Sequence, residues 1–296
     1  MNKIIETVPN FSEGRDEAVI AQIAGCFKNV NDVKLLDVKP DKDHNRTVVT
    51  AIGEPEPLKE CLYRAFEIAV DKIDLRKHKG EHPRLGAVDV VPFIPVRNST
   101  MNECVELAKQ SAKTIADRYN LPIFLYEAAA ASSDRQNLAN IRKGEYEGMF
   151  EKIKDPKWKP DFGPAEVHPS AGASVFGARE YLIAFNINLA TADIKIADKI
   201  ARAVRGSSGG FVNVKGMGVE LSGRGIVQVS MNLVNYKKTP IFRVFEVVRS
   251  EAARYGVNVV GSELIGMAPM EALLQCADYY LRIEDFDMKQ VIENNL

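Results

Sequence analysis

Apolar and polar residues alternate along the chain in patterns that predict short strands separated by amphipathic helices. In the first of these helices, Val19, Ile23 and Phe27 are spaced four residues apart and share one face. The first half of the chain is predicted to contain strands over 3–8, 33–38, 46–52, 87–95 and 122–126, and helices over 16–30, 56–73 and 102–118. Further helical segments are predicted to follow, as far as about residue 153.

The second half of the chain shows a clearer order of elements. Strands are predicted over 181–189, 211–221, 226–235 and 257–261, and helices over 194–204 and 240–255. This β-α-β-β-α-β order is typical of the ferredoxin-like fold. The first half opens with the same order and then adds a helix and a strand.

A segment rich in proline lies between the two halves. Residues 155–164 contain three prolines and one glycine, a composition that excludes a regular helix or a central strand and indicates the approach to a domain boundary. We therefore predict an α+β protein, an α/β sandwich of two ferredoxin-like subdomains side by side, over residues 1–178 and 179–296. Clefts between domains are favoured ligand sites, so we expect a substrate cleft between the two subdomains.

Composition and charge exclude several classes of protein. The 296 residues are 46% hydrophobic and 27% charged, which excludes a disordered or low-complexity chain. The net charge of −1 gives no basic field for nucleic acid. No apolar run approaches the roughly 18 residues of a membrane span, and the start lacks an apolar signal core, so we expect a cytoplasmic protein without a membrane partner. The four cysteines form no C-x-x-C pair and are predicted to be reduced, packed thiols.

The most distinctive polar segment is the basic loop over residues 76–86. It carries His78 and His82, two of the four histidines, among lysines and arginines that suit an anionic small molecule. One hypothesis makes one of these histidines a general acid and base. A second reads the segment as the H-x-x-E-H signature of a zinc hydrolase, although Gly80 and Pro83 oppose the helix that this motif needs. The third interpretation is a solvated basic loop.

Two other segments have both a structural and a functional interpretation. Residues 41–46 form a polar turn, or present Asn45 and Arg46 at a strand start, where arginine can bind a carboxylate through two hydrogen bonds. Residues 168–179 are small and rich in glycine, which indicates either an interdomain turn or close approach of a flat ligand to the backbone. They match neither a P-loop nor a clean G-x-G-x-x-G motif.

Taken together, these segments resemble the glutamate formimidoyltransferase family from near Ile4 to about Ala277. The strings NFSEG at 10–14 and GEHPR at 80–84 are specific in combination. Further shared strings lie at 8–9, 45–48, 89–96, 161–164, 184–189 and 260–264.

The resemblance implies a folate-dependent transferase with two subdomains that form a substrate groove. It would transfer the formimidoyl group between N-formimidoyl-L-glutamate and tetrahydrofolate, giving L-glutamate and 5-formimidoyltetrahydrofolate, a late step of histidine degradation. Tetrahydrofolate is the expected co-substrate, and neither a metal nor a nucleic acid is expected. The family also suggests a homodimer. In animals the domain is fused to a cyclodeaminase, an activity that we do not expect in this chain of 296 residues.

The family's catalytic histidine falls on His82. Its folate-binding stretch falls on residues 163–172, with candidate contacts at Gly163, Pro164, Pro169, Ser170, Ala171 and Gly172. Outside the family's own assignments, we consider four residues as substrate-binding candidates: Asn45, Arg46, Lys79 and Arg84.

One departure from the family affects the partner of His82. Some members carry an aspartate where this chain has Lys39, so Asp37, Asp41 or Asp43 would have to assist the histidine. Three alternatives stay open from the sequence: transfer of formyl groups from N-formylglutamate or 5-formyltetrahydrofolate on the same scaffold, a zinc hydrolase that uses His78 and His82, and a binding module without turnover.

Overall fold

The computed structural model describes residues 2–295. The chain divides into two compact units, the first ending at Arg179 and the second beginning at Glu180. Each unit combines a β-sheet with helices around a hydrophobic core of its own. The mixed architecture with two separate sheets confirms the predicted α+β class.

The first unit contains a seven-stranded sheet and six α-helices among its described residues. Its strands are β1 (Ile4–Thr7), β2 (Asn10–Phe11), β3 (Val33–Asp41), β4 (Arg46–Gly53), β5 (Val88–Arg97), β6 (Ile123–Glu127) and β7 (Ser174–Ala178). Its helices are α1 (Glu17–Gly25), α2 (Pro55–Lys72), α3 (Met101–Tyr119), α4 (Ser133–Gln136), α5 (Leu138–Arg142) and α6 (Glu145–Lys152).

The sheet of the first unit has an antiparallel and a parallel part. Strands β1 and β2 both lie between β4 and β5, and β3 pairs with the other edge of β4, all antiparallel. Beyond β5 follow β7 and β6, which are parallel to it and to one another. The loop that carries His82 connects α2 to β5, so it enters the sheet where the two parts meet.

The two long helices of this unit form where the sequence predicts them. In α2, Leu58, Leu62 and Phe66 are buried at four-residue spacing, and Phe66 stacks on Phe176 of β7 with ring centroids 5.5 Å apart. Helix α3 begins at a capping box between Thr100 and Glu103, which satisfies free N–H groups of the first turn. The apolar faces of both helices therefore belong to the core of the sheet.

Strand β7 lies where the sequence indicates a glycine-rich turn, so the prediction of an interdomain turn over 168–179 is wrong for residues 174–178. All five residues of β7 are buried between β5 and β6. A parallel strand that is buried on both faces has no alternation of apolar and polar residues. Its small residues therefore resemble a turn when only periodicity is considered.

The second unit has an antiparallel four-stranded sheet in the order β11-β8-β10-β9. Its elements are β8 (Ile183–Leu189), α7 (Ile194–Val204), β9 (Val214–Leu221), β10 (Ile226–Leu233), α8 (Ile241–Ala253), β11 (Val259–Ile265) and α9 (Met270–Leu281). The first six follow the predicted order and nearly the predicted bounds, whereas α9 was not predicted. Across the sheet, Gln228 donates a hydrogen bond to Asn188 (2.7 Å), which donates to Glu263 (3.0 Å).

The cysteines agree with the expectation of packed thiols. All four cysteines are free, and Cys26, Cys61 and Cys104 are buried. Burial raises the pKa of the Cys104 thiol to about 12, which keeps it protonated and unreactive. Within residues 2–295, no helix is long and apolar enough to span a membrane.

Candidate active site

The loop over residues 76–86 is not helical, and the buried His78 holds it in place. The ring Nε2–H of His78 donates to the carbonyl oxygen of Asn45 at 2.8 Å, and Nε of Arg84 donates to its Nδ1 at 3.2 Å. Both ring nitrogens are therefore occupied in the neutral form, and burial lowers the pKa of this imidazole. This bonding gives His78 a structural role and leaves it no lone pair for a metal.

Asn45, predicted to bind substrate, joins three loops in the structure. Its Oδ1 accepts a hydrogen bond from the N–H of Gly14 at 2.9 Å, and its Nδ2 donates to the carbonyl oxygen of Lys79 at 3.1 Å. The residue is buried and has a φ of 47°, a left-handed conformation that asparagine tolerates better than most residues. Since its amide is engaged with the backbone, Asn45 positions the loops around His82.

Two glycines allow these loops to approach so closely. A Cβ at Gly14 would lie 2.2 Å from the carbonyl oxygen of Asp41, and one at Gly80 would lie 2.3 Å from that of His44. Both glycines belong to the NFSEG and GEHPR strings. Close packing of the backbone therefore explains why each of these strings contains a glycine.

Arg84, the second predicted substrate ligand in the loop, is also engaged with protein groups. Its Nη1 donates to Glu145 at 2.9 Å, and its Nη1 and Nη2 donate to Glu147 at 2.9 and 2.7 Å. The hydrogen bond from Arg84 lowers the pKa of Glu147. Two carboxylates and His78 thus occupy most of the guanidinium donors, which weighs against a direct role with substrate and favours one in fixing the loop.

His82 differs from His78 because its imidazole makes no hydrogen bond with any group in the described part of the chain. The residue is 8% exposed. Burial, together with the positive charges of Arg142 and Arg46, lowers its pKa to about 3. At neutral pH the ring is therefore uncharged, and one ring nitrogen keeps its lone pair.

The depressed pKa of His82 predicts a specific pH dependence of stability. In the unfolded chain the ring takes a proton near pH 6.5, whereas in the fold it does so only near pH 3, so stability is lost as pH falls through this window. When the pH falls from 6.5 to 5, the unfolding free energy of wild type should drop by about 2 kcal/mol more than that of the His82→Gln variant. Urea denaturation at each pH measures the difference, and parallel curves would contradict a buried neutral imidazole.

Two arginines contribute the positive charge near His82. Arg46 starts β4 and Arg142 ends α5, and the buried Nε of each has no hydrogen-bond partner among the described residues. Arg142 donates through Nη2 to Asp89 of β5, a carboxylate that is 1% exposed. Arg142 is not among the site residues predicted from the sequence. The signal that could have found the pair is Asp89, a single carboxylate inside an apolar strand.

Lys79 lines a cavity of about 460 Å³, and two residues of the predicted folate stretch are hydrogen-bonded to its lining. It is lined by Leu75, Arg76, His78, Lys79, Gly80, Arg84, Tyr146 and Glu147. The hydroxyl of Tyr146 donates to the carbonyl oxygen of Pro169, and the N–H of Leu75 donates to that of Ser170 at 2.8 Å. Pro169 and Ser170 are thus bonded to two lining residues of this cavity.

The remaining predicted folate residues are built into the backbone near the starts of β6 and β7. Gly163 and Gly172 have φ values of 80° and 72°, and a Cβ at either would lie 2.0 or 2.1 Å from a carbonyl oxygen. Ala171 is buried and accepts a hydrogen bond from the N–H of Ala87 at 2.9 Å. Pro164 is partly exposed beside Gly163. These residues shape the chain path, whereas Pro169 and Ser170 are hydrogen-bonded to residues that line the cavity.

None of the three aspartates considered in place of the missing family aspartate makes a hydrogen bond with His82. Asp37 pairs with Lys39 at 3.4 Å, and Asp41 contacts the Nδ1 of His44 at 2.9 Å. Asp43 binds this loop through its carbonyl oxygen, which accepts from the N–H of Glu81 at 3.3 Å. In the described residues the charged groups that act most strongly on His82 are arginines.

A zinc site is not favoured by the geometry. The H-x-x-E-H segment is not helical, and both nitrogens of His78 are engaged. Across residues 2–295, no group of three or more histidine, cysteine or acidic side chains is arranged to hold a metal ion.

Comparison with known proteins identifies the class of this fold and site. Residues 4–179 match the N-terminal subdomain of the formiminotransferase domain, and residues 184–295 match the formiminotransferase domain. The chain therefore belongs to the formiminotransferase family.

Similar proteins include two of nearly the same length. The glutamate formimidoyltransferase of Streptococcus pyogenes serotype M1 is 50% identical over 100% of this chain and 99% of its own. That of Thermoplasma acidophilum is 45% identical over 99% of this chain and 97% of its own. The formimidoyltransferase-cyclodeaminase of Dictyostelium discoideum is 48% identical over 96% of this chain and 54% of its own.

Proposed function

We propose that this protein transfers the formimidoyl group of N-formimidoyl-L-glutamate to tetrahydrofolate, as the names of its full-length relatives indicate. The structural observation that carries the proposal is the buried, neutral imidazole of His82, which has no hydrogen-bond partner among the described residues and lies in the field of two arginines. The products are L-glutamate and 5-formimidoyltetrahydrofolate, and the reaction belongs to histidine degradation.

His82 acts as general base and then as general acid. The N5 of tetrahydrofolate attacks the amidine carbon of the donor, and His82 accepts the proton that N5 loses. The bond between that carbon and the glutamate nitrogen then breaks, and His82 returns the proton to this nitrogen. A positioned imidazole that does both contributes about 10²–10⁴-fold to the rate.

The other residues bind or position the substrates. Arg46 and Lys79 bind substrate carboxylates, because Arg46 has a free donor and Lys79 lines the cavity. Tetrahydrofolate binds along Pro169 and Ser170, while Gly163, Pro164, Ala171 and Gly172 hold the shape of that segment. Asn45 and Arg84 act through the loop that they fix.

We further propose that each unit is a ferredoxin-like subdomain, over residues 1–178 and 179–296. Support comes from the order of the strands in the two sheets. In the first sheet β5 is followed by β1 and β2, then by β4, then by β3. In the second sheet the corresponding order is β11, β8, β10 and β9. The enzyme is proposed to act as a cytoplasmic homodimer without a metal cofactor.

A parallel donor assay tests the proposed activity. Purified protein and tetrahydrofolate are offered N-formimidoyl-L-glutamate or N-formyl-L-glutamate, and folate products are separated and quantified. We expect 5-formimidoyltetrahydrofolate from the first donor and little product from the second. Turnover of the formyl donor alone would assign the scaffold to formyl transfer, and folate binding without turnover would indicate a binding module.

A further inference from the structure

The pair of Asp89 and Arg142 is tied to the loop that carries His82. One oxygen of Asp89 accepts from Arg142, and the other accepts from the N–H of Leu85 at 2.9 Å. Leu85 lies three residues after His82 in the same loop. The carboxylate thus fixes the guanidinium of Arg142 relative to the backbone that presents His82.

Two guanidinium groups act on His82, and among the described residues one of them makes an ion pair. Among the described residues, Arg46 makes no ion pair and Arg142 pairs with the carboxylate of Asp89. Asp41, on the strand beside Arg46, is engaged by His44. Incomplete pairing of a half-buried cation is costly, and burial together with the charge of Arg142 lowers the pKa of Arg46 by more than the carboxylates of Asp41 and Asp89 raise it. An anionic ligand would remove this cost.

We propose that Arg142 is a second binding residue that joins Arg46 in a two-guanidinium site for a carboxylate of the donor amino acid. The inference rests on the proposed function and deepens it. The Nε–H of each arginine is buried and has no hydrogen-bond partner among the described residues, and arginine donors match the planar geometry of a carboxylate. Asp89 holds Arg142 in position for this contact.

Such a site would determine how the donor is oriented beside His82 and which donors the enzyme accepts. A carboxylate bound by Arg46 and Arg142 would hold the departing amino acid beside His82, which must protonate its nitrogen. Amidines of neutral amines would leave both guanidinium groups unpaired and bind poorly. The enzyme should therefore require donors derived from an acidic amino acid.

Calorimetric titration of L-glutamate tests the site without turnover, because tetrahydrofolate is left out. In Arg142→Lys the ammonium still pairs with Asp89 but the Nε–H is lost, so we expect the Kd for L-glutamate to rise about 10- to 100-fold. The matched control Lys143→Gln removes a cation from the next residue, which is exposed, and should change Kd less than twofold. Tetrahydrofolate affinity, measured separately, should stay unchanged in both variants.

A second variant separates binding from folding. Asp89→Asn combined with Arg142→Gln removes both charges together, keeps an acceptor for the N–H of Leu85, and should weaken L-glutamate binding as much as Arg142→Lys does. Wild-type affinity in either folded variant would overturn the role of Arg142 while leaving the proposed function intact. Failure of the wild type to bind L-glutamate would also overturn it. Glutamate binding through Arg142 without formimidoyl transfer would instead overturn the proposed function alone.

Discussion

The His82→Gln enzyme should transfer the formimidoyl group about 10²–10⁴-fold more slowly than wild type. Glutamine nearly matches the size of histidine but cannot accept a proton at neutral pH. The described protein groups make no hydrogen bond with the imidazole, so its removal breaks no internal contact of that kind. The loss should therefore appear in kcat, with little change in the KM for either substrate.

The appropriate control removes another basic residue from the same loop. Lys77 has a side chain that is 85% exposed and makes one long ion pair, 3.8 Å to Asp74. Lys77→Gln should keep kcat within about twofold of wild type, as expected for a solvated surface charge. A His82→Gln enzyme that retains wild-type kcat would remove proton transfer by His82 from the mechanism.

The periodic elements of this fold could be predicted because their burial follows the helix or strand period. Helix α2 was predicted within one residue at both ends, and six elements of the second unit were predicted in their correct order. Strand β7 and helix α9 were not predicted. Strand β7 is short and buried on both faces, and α9 leaves Leu273, Tyr279 and Leu281 exposed, so neither carries a simple amphipathic pattern.

The site could be predicted only in part, for a related reason. The resemblance points to His82 through the GEHPR string, but its surroundings come from residues far along the chain. Arg142 pairs with Asp89 from 53 residues away, and Glu145 pairs with Arg84 from 61 residues away. Local spacing carries no signal for such pairs. The sequence therefore suggested Arg84 as a binding residue for a substrate carboxylate. In the structure its guanidinium is already paired with the carboxylates of Glu145 and Glu147.

The largest stability effect is expected at the pair that fastens the proline-rich segment to β6. Arg135 and Asp161 lie 2.9 Å apart with side chains 8% and 11% exposed, and Asp161 also accepts the N–H of Leu125 at 2.7 Å. Asp161→Ala would leave the buried guanidinium without a counter-charge, which typically costs about 3–5 kcal/mol. The unfolding free energy of the first unit should fall by that amount.

Trp158, the one tryptophan in the sequence, reports on this segment directly. It stands next to Lys157 and Lys159, whose carbonyl oxygens accept hydrogen bonds from Arg135 at 2.8 and 2.6 Å. Urea denaturation followed by the fluorescence of Trp158 measures the loss of unfolding free energy.

Asp134→Ala is the matched control, because it removes an exposed ion pair with Lys157 at 2.9 Å and should cost less than about 1 kcal/mol. Equal losses in the two variants would show that burial does not govern the strength of the Arg135 pair. Since Gly163 and Pro164 follow directly, we also expect Asp161→Ala to weaken tetrahydrofolate binding, whereas Asp134→Ala should leave it unchanged.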